Sequence, residues 1–200
     1  MQQQFGVERM SRRPLGRLRI IAGEWRSRLI DFDAADGVRP TPDRVRQTVF
    51  DWLTPIIPGA RCVDLFAGSG ALGFEALSRG AATVSFVETG VAQTDAIRAA
   101  AAKLGAAARS DVVNVDALAW LRGTREHFDI AFVDPPYDAG LWKPVLLALQ
   151  PVLKDDNRVY VEWPKKITPL WPEGWQVLKE KTAGQVSYAL ATYRAPESAG

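Results

Sequence analysis

Cysteine and histidine are nearly absent from this chain of 200 residues, which contains one of each. A single cysteine excludes an internal disulfide and a zinc site built from cysteines. Cys62 lies within an apolar stretch typical of a buried strand, and His127 stands alone just before another such stretch. The sequence therefore predicts a protein that has no metal site and no thiol nucleophile.

Long apolar runs are also missing. No run reaches the roughly 18 residues that a membrane-spanning helix needs. The first residues are polar and rich in arginine, without the apolar segment of a secretory signal peptide. No obvious interface helix is present. We therefore expect a soluble cytoplasmic protein that is monomeric and does not contact a membrane.

Lysine is absent from the first quarter of the chain, where the cations are all arginine. Residues 1–50 contain ten arginines and six acidic residues, although the whole chain has a net charge of only +2. Such a block favours an anionic partner, and nucleic acid is favoured over a membrane because no long apolar face accompanies the charges. The alternative is a solvated, flexible tail over residues 1–14. The predicted nucleic-acid contacts are Arg17, Arg19, Arg26, Arg28 and Arg39.

From residue 61 onward, strand-like and helix-like segments alternate. This alternation predicts an α/β fold, with a mostly parallel sheet and helices on both faces. The last two strand-like runs are joined by Thr182-Ala183-Gly184 without a helix between them, which predicts an antiparallel hairpin that closes the sheet. The seven predicted strands are 61–66, 83–88, 111–115, 128–134, 158–163, 176–181 and 186–193, and the predicted helices are 70–78, 91–104, 117–121 and 141–153.

A basic β-hairpin is predicted before this alternating region. Residues 17–21 alternate in polarity, Ala22-Gly23-Glu24 offers a turn, and residues 25–30 continue with arginines interleaved. We therefore divide the chain into a flexible amino terminus and hairpin extension over residues 1–40 and a main domain over residues 41–200.

A helix is predicted to begin the main domain. Thr41-Pro42-Asp43 is typical of a helix start, with Thr41 as the N-cap, Pro42 at the first helical position and Asp43 near the positive end of the helix dipole. The apolar face of this helix is formed by Val45, Val49, Phe50, Trp52 and Leu53.

The tetrad Asp134-Pro135-Pro136-Tyr137 follows the fourth predicted strand. The two prolines remove two backbone hydrogen-bond donors, and each proline ring fixes its own φ angle at about −65°. We expect the Pro135 carbonyl to point beyond the sheet, beside the Asp134 carboxylate and the Tyr137 ring. Two acceptors beside a flat ring suit a planar ligand with an amino group, whereas an ordinary Pro-Pro turn is the alternative. The tetrad, Pro136 included, is therefore the predicted catalytic element.

A glycine-rich loop, Asp64-Leu65-Phe66-Ala67-Gly68-Ser69-Gly70, follows the first predicted strand. The spacing of Gly68, Gly70 and Gly73 also fits a dinucleotide site. Asp64 argues against such a site because a carboxylate would repel a pyrophosphate, whereas S-adenosylmethionine has no phosphate and carries an α-amino cation. A loop or helix-capping carboxylate is the alternative for Asp64. The predicted S-adenosylmethionine site contains Asp64, Phe66, Ala67, Gly68, Ser69 and Gly70.

Two further carboxylates follow the next predicted strands. Glu88 ends the second strand and is well placed to accept the ribose hydroxyls of the cofactor. Asp116 follows the third strand, where it can accept the adenine amino group or merely cap the next helix. Because the carboxyl ends of strands in an open α/β sheet form the ligand-binding edge, we expect these groups to lie beside Asp134.

Together these motifs resemble the RsmD family, which are class I methyltransferases with a Rossmann-like fold that act on guanine N2 in bacterial 16S ribosomal RNA. The resemblance extends from about residue 17 to about residue 193. DPPY alone is shared with DNA adenine methyltransferases, and the first two of the following segments are the specific part. The segments are RIIAGEWRSR (19–28), RPTPDRVRQTVFDWL (39–53), DLFAGSGALGFEALSRGA (64–81), FVDPPY (132–137) and KTAGQVSY (181–188).

The resemblance implies a sheet with an inserted antiparallel last strand, an amino-terminal extension that grips RNA, S-adenosylmethionine as methyl donor and no metal. It implies guanine 966 as the target, in free 16S rRNA, in the small subunit or in an assembly intermediate. Asp134 and the Pro135 carbonyl then accept the two amino hydrogens, and Tyr137 stacks on an accessible or flipped base. The open alternatives are a DNA adenine-N6 methyltransferase, a non-catalytic RNA-binding module and a nicotinamide oxidoreductase.

Overall fold

A computed structural model describes residues 15–34, 40–136 and 140–196 of the chain. The strands are β1 (Leu15–Arg19), β2 (Leu29–Asp33), β3 (Arg61–Asp64), β4 (Thr83–Glu88), β5 (Ser110–Asn114), β6 (Phe128–Val133), β7 (Leu153–Pro164), β8 (Trp175–Ala183) and β9 (Val186–Tyr193). The α-helices are α1 (Asp43–Leu53), α2 (Ala71–Ser78), α3 (Val91–Leu104), α4 (Ala117–Gly123) and α5 (Trp142–Leu149). No helix in the described ranges is long and apolar enough to cross a membrane.

The main sheet has seven strands in the order β5-β4-β3-β6-β7-β9-β8. Strands β3 to β7 are parallel, and β9 is inserted between β7 and β8 and runs antiparallel to both. This confirms the predicted α/β sheet with an antiparallel last strand. The chain moves outward from β3 to β5 and then returns to β6, so the strand order switches between β3 and β6. Ligands of open α/β folds bind beyond the carboxyl ends of the strands at such a switch.

Alternation along the central strands separates two apolar layers. Phe132 and Tyr160 belong to the layer that includes α1, α2, α3 and the β1-β2 hairpin. Val133 and Val161, one residue further along, belong to the opposite layer with α4 and α5. Side chains of successive strand residues point to opposite faces, so both faces of the sheet are covered and only its ends are open to ligands.

The predicted basic hairpin is confirmed, but its second strand was placed too early. Strands β1 and β2 pair in antiparallel fashion from Leu15↔Asp33 to Arg19↔Leu29. In the connecting segment, the Glu24 amide donates to the Ser78 carbonyl at 2.7 Å and the Trp25 amide to the Ser78 hydroxyl at 3.0 Å. These bonds hold the segment on the end of α2, so it cannot pair as a strand, and the buried Trp25 side chain fixes it there.

The predicted N-cap of α1 was wrong. The helix begins at Asp43, Pro42 occupies the cap position, and no side chain caps it. The carbonyl of Thr41 instead accepts a bond from Arg46 Nε at 3.2 Å. Four of the five predicted apolar residues, Val45, Val49, Phe50 and Leu53, are buried, and so is Arg46, which the apolar pattern gave no reason to expect.

Candidate active site

Three predicted site carboxylates lie at the carboxyl ends of neighbouring parallel strands. Asp64 ends β3 and Glu88 ends β4, and Asp134 directly follows β6. Asp64 pairs in register with Phe132 of β6 and with Phe86 of β4. A small cavity is lined by Asp64 and Asp134 together with Phe66, Ala67, Gly68 and Ser69 of the glycine loop, and with Pro40 and Thr41. The structure therefore brings the predicted cofactor loop and the predicted catalytic aspartate into one cavity.

The glycine loop turns sharply from β3 into α2. Gly68 and Gly70 have φ angles of 50° and 75°, a region that favours glycine. Gly73 has a different function, because a Cβ atom there would lie 2.2 Å from the Phe86 ring. The absence of a side chain at Gly73 allows α2 to pack closely on β4. This packing fixes the helix that follows the glycine loop, and the loop residues themselves line the cavity.

Asp64 is buried beneath this loop, with 3% of its surface exposed. Its Oδ2 accepts a bond from the Gly73 amide at 3.2 Å. Burial raises the pKa of Asp64 to about 7; the negative charge of Glu88 acts in the same direction, whereas the Gly73 and Phe66 amides lower it. A buried carboxylate whose ionised form is disfavoured in this way is well suited to a cationic ligand.

Glu88 binds the loop itself. Its Oε2 accepts a bond from the Gly68 amide and its Oε1 a bond from the Gly90 amide, both at 2.8 Å. The loop and the start of α3 are thus connected through one half-buried carboxylate. The Thr89 hydroxyl also donates to Oε1, at 3.4 Å. A carboxylate has about four acceptor sites, so these three bonds leave capacity for one further donor, such as a ribose hydroxyl.

Asp116 is exposed and caps α4. It occupies the N-cap position and accepts a bond from the Ala119 amide at 2.9 Å. Helix capping, one of the two predicted interpretations, is therefore what the structure shows. Contact with an adenine amino group would use the remaining acceptor capacity of the same carboxylate.

Asp134 and the two prolines form the edge of the cavity beyond β6. Protein atoms surround the Asp134 carboxyl group although part of the residue is accessible to solvent. The pKa of Asp134 is raised well above its usual value, first by burial and then by the negative charges of Glu162 and Asp64. Pro135 is buried and Pro136 exposed. Tyr137 lies outside the described residues.

Glu162 is a site residue that the sequence analysis missed. It lies near the end of β7, is 6% exposed, and accepts a bond from the Tyr160 hydroxyl at 2.6 Å. The signal was present, because Glu162 is a carboxylate near the carboxyl end of a predicted parallel strand, as Asp64 and Glu88 are. Because Glu162 lies within the largely apolar segment VYVEWP, it was not predicted as a site residue.

Four of the predicted nucleic-acid contacts are exposed on the hairpin: Arg17, Arg19, Arg26 and Arg28. Arg17 lies 3.2 Å from Asp31 across the hairpin, in a pair that is largely solvated. Arg39 lies outside the described residues. The hairpin that carries these arginines packs on the layer of the sheet that also includes α1, α2 and α3.

A buried ion pair anchors this hairpin to the glycine-loop helix. Glu75 of α2 accepts bonds from the Ile21 and Ala22 amides at 2.8 and 3.0 Å. Arg46 of α1 donates to the Arg19 carbonyl at 2.8 Å and lies 3.4 Å from Glu75. Arg46 and Glu75 are both fully buried. The hairpin is therefore attached to α2, the helix that directly follows the glycine loop.

Comparison with known proteins gives consistent matches. The family described as "Conserved hypothetical protein 95" matches residues 18–192. Ribosomal RNA small subunit methyltransferase D of Haemophilus influenzae is 42% identical over 180 residues, which is 88% of this chain and 93% of that protein. The Escherichia coli protein of the same name is 42% identical over 178 residues, or 88% and 89% of the two chains.

Solved structures agree with these relatives. An Escherichia coli protein that is 42% identical superimposes with a TM-score of 0.82 and covers 90% of this chain and 100% of its own. TrmN from Thermus thermophilus, at 20% identity, has a TM-score of 0.66 over 75% of this chain and 48% of its own, which shows a shared fold.

Proposed function

This chain belongs to the family described as conserved hypothetical protein 95, the RsmD family, and we propose that it methylates the exocyclic N2 of a guanine in 16S ribosomal RNA with S-adenosylmethionine as donor. The observation that carries the proposal is the pair of enclosed carboxylates, Asp64 and Asp134, in one cavity with the glycine loop. The names of the relatives indicate the substrate class, and the site chemistry supports methyl transfer to an amine.

The residues at the carboxyl ends of β3, β4 and β5 would fit S-adenosylmethionine. Asp64 would hold the α-amino group, because burial raises its pKa and a bound cation would favour its ionised form. Glu88 would accept a ribose hydroxyl and Asp116 the adenine amino group, while the backbone of Phe66 to Gly70 provides a surface that a ligand can approach closely. When bound, S-adenosylmethionine supplies a methyl group on a positively charged sulfur.

Asp134 and Pro135 orient the acceptor amine. The Asp134 carboxylate and the Pro135 carbonyl accept the two amino hydrogens and direct the nitrogen lone pair into the cavity. Orientation of this kind supplies up to roughly 7–11 kcal/mol of a barrier, so no strong base is needed. The raised pKa of Asp134 also makes its carboxylate a better acceptor for the proton that N2 gives up.

The hairpin supplies the grip on RNA. Exposed Arg17, Arg19, Arg26 and Arg28 would neutralise phosphates, with Arg39 as a further contact, and Tyr137 would stack on the flipped base. Residues 1–40 would thus act as the RNA-contacting extension and residues 41–200 as the methyltransferase domain. By its family, the expected target is guanine 966, in free 16S rRNA, the small subunit or an assembly intermediate.

Product analysis tests the proposed function. The protein is incubated with methyl-labelled S-adenosylmethionine and, separately, with small ribosomal subunits, naked 16S rRNA and duplex DNA, and the nucleosides are then identified by mass spectrometry. We expect N2-methylguanosine from the subunits or the rRNA. Label in N6-methyladenine, or no label in any nucleic acid, would contradict the proposal.

A further inference from the structure

Glu162 and Asp134 occupy equivalent places on neighbouring parallel strands. Val133 of β6 pairs in register with Val161 of β7. Asp134 and Glu162 are the residues that directly follow this pair. Adjacent parallel strands lie about 4.8 Å apart and paired residues point to the same face, so the two carboxylates approach each other at the sheet edge. Their proximity is also evident electrostatically, because the charge of Glu162 raises the pKa of Asp134.

The Glu162 carboxylate is held in a fixed orientation. The Tyr160 hydroxyl donates to its Oε2 at 2.6 Å, and Tyr160 is itself fully buried. The Tyr160 ring lies between those of Phe132 and Tyr188, with centroids at 6.5 and 6.2 Å. Glu162 is only 6% exposed, and an ionisable group that is buried in this way and bonded to a buried tyrosine is costly to maintain for stability alone.

Guanine presents three donor hydrogens on one edge: two on N2 and one on N1. If Asp134 and the Pro135 carbonyl take the two on N2, the N1–H requires another acceptor beside them. A carboxylate is an acceptor only, and it can accept more than one bond. Adenine has a lone pair at N1 beside its amino group, which a carboxylate would repel.

We propose that Glu162 accepts the N1–H of the target guanine and thereby selects guanine over adenine. This inference rests on the proposed function, because it takes guanine N2 as the methyl acceptor. Glu162 then determines specificity, while Asp134 and Pro135 hold the reacting nitrogen. Tyr160 is a positioning residue that acts through Glu162.

The test uses 2-aminopurine, which keeps the amino group on C2 but has a lone pair at N1. Full-length 16S rRNA is ligated from two pieces so that the target position carries guanine or 2-aminopurine, and is used naked and in reconstituted subunits. We expect the unaltered protein to prefer guanine by roughly 100-fold in kcat/KM, since a site built around a donor rejects an analogue that lacks it. Equal methylation of both RNAs by the unaltered protein would overturn the proposal without any variant.

Glu162→Gln sharpens the test, because the Tyr160 hydroxyl would donate to the amide oxygen and leave the NH2 group to donate to the N1 lone pair of 2-aminopurine. We expect this variant to lose roughly 100-fold on guanine and to prefer 2-aminopurine, with S-adenosylmethionine affinity unchanged by calorimetry. Glu180→Gln, on the exposed surface of β8, is the matched control and should keep the preference for guanine. Equal losses on both RNAs in Glu162→Gln would show a merely structural role. If the unaltered protein fails to methylate guanine RNA, the proposed function itself is contradicted.

Discussion

Asp64, Asp134 and Glu162 place three carboxylates at one sheet edge, where their charged forms are poorly solvated. The pKa values of Asp64 and Asp134 are raised, in both cases first by burial and then by neighbouring carboxylates. Such a site disfavours further negative charge and favours cations and hydrogen-bond donors. A cationic methyl donor and an amine-bearing base satisfy both preferences, whereas the pyrophosphate of a nicotinamide cofactor satisfies neither.

Binding of S-adenosylmethionine should release protons through Asp64. In the protein alone the pKa of Asp64 is about 7, so much of the group is protonated near neutral pH. A bound ammonium favours the ionised form, and affinity should therefore rise as pH increases from about 6 to about 7.5. Calorimetry in buffers of different ionisation enthalpy measures the released protons. Asp64→Asn should bind at least about 10-fold more weakly and release no proton; unchanged affinity would count against the assignment of Asp64 to the ammonium group.

The same substitution should stabilise the free protein at alkaline pH. A carboxyl with a raised pKa contributes stability that is fully present below its unfolded pKa of about 3.9 and is lost as pH rises through its folded pKa. For Asp64 this loss accumulates between about pH 4 and pH 7 and is complete above the folded pKa of about 7. Asp64→Asn should increase the free energy of unfolding by up to about 4 kcal/mol at pH 8 and by roughly 1.5 kcal/mol at pH 5. Denaturant unfolding at the two pH values measures this, and a variant less stable than the parent at pH 8 would contradict it.

The sequence predicted those strand-end carboxylates that lie next to a distinctive motif, such as a glycine-rich loop or a pair of prolines. Asp64 precedes a glycine loop and Asp134 precedes two prolines, so their positions at strand ends were visible. Glu162 lies near the end of an apolar strand, where no unusual neighbour marks it, and the register between β6 and β7 places it next to Asp134. Register between distant strands is a tertiary property that local patterns do not encode.

At the scale of elements, the hairpin and α2 behave as one unit. The loop between β1 and β2 is bonded to Ser78 and Glu75 of α2, whose first residue follows the cofactor loop. The proposed RNA grip is therefore attached directly to the proposed cofactor site. The sequence indicated the hairpin through its alternation, but the contact with α2 depends on the buried Arg46 and Glu75, whose burial no local pattern predicts.

Removal of hairpin charge should weaken RNA binding in a salt-dependent manner. Arg26→Ala with Arg28→Ala should reduce the steepness of the decrease in affinity with salt by roughly two contacts, because each phosphate contact contributes about one unit to the slope. Filter binding to 16S rRNA at several salt concentrations measures the slope. Arg122→Ala with Arg125→Ala removes the same charge from exposed positions near the carboxyl end of α4 and should leave the slope unchanged. Equal effects of the two double variants would show that the hairpin arginines contribute only as solvated surface charges and do not contact RNA specifically.

Disruption of the buried ion pair should loosen the hairpin. Arg46→Met leaves Glu75 with one cationic partner fewer in a fully buried place, and we expect a loss of about 3 kcal/mol of unfolding free energy. Hydrogen exchange of the Ile21 and Ala22 amides should accelerate, since their acceptor is Glu75. Arg44→Met, at an exposed position on the same helix, is the control and should change neither quantity. Unchanged exchange in Arg46→Met would show that the Glu75 and Ser78 bonds hold the hairpin without Arg46.

At the scale of the whole molecule, the strand order places the glycine loop, the predicted binding site of the methyl donor, next to Asp134, the predicted binding site of the acceptor amine. The glycine loop belongs to the outward half of the sheet and Asp134 to the returning half, and they meet where the order switches between β3 and β6. The alternation of strands and helices predicted the parallel sheet, and the resemblance to the family implied the inserted antiparallel last strand. Strand β7 begins at Leu153 rather than at residue 158, and α1 begins at Asp43 rather than at Pro42.

In the proposed reaction, Asp134 binds and orients the acceptor amine, and Asp64 binds the α-amino group of the methyl donor. The most direct measurement compares single-turnover methyl transfer to 16S rRNA with S-adenosylmethionine affinity for Asp134→Ala, using Asp155→Ala at an exposed position as the control. We predict that Asp134→Ala loses about 100-fold or more of its methyl-transfer rate, because an oriented acceptor is removed, and keeps its S-adenosylmethionine affinity within about threefold. An Asp134→Ala protein that methylates rRNA at the parent rate would contradict the account.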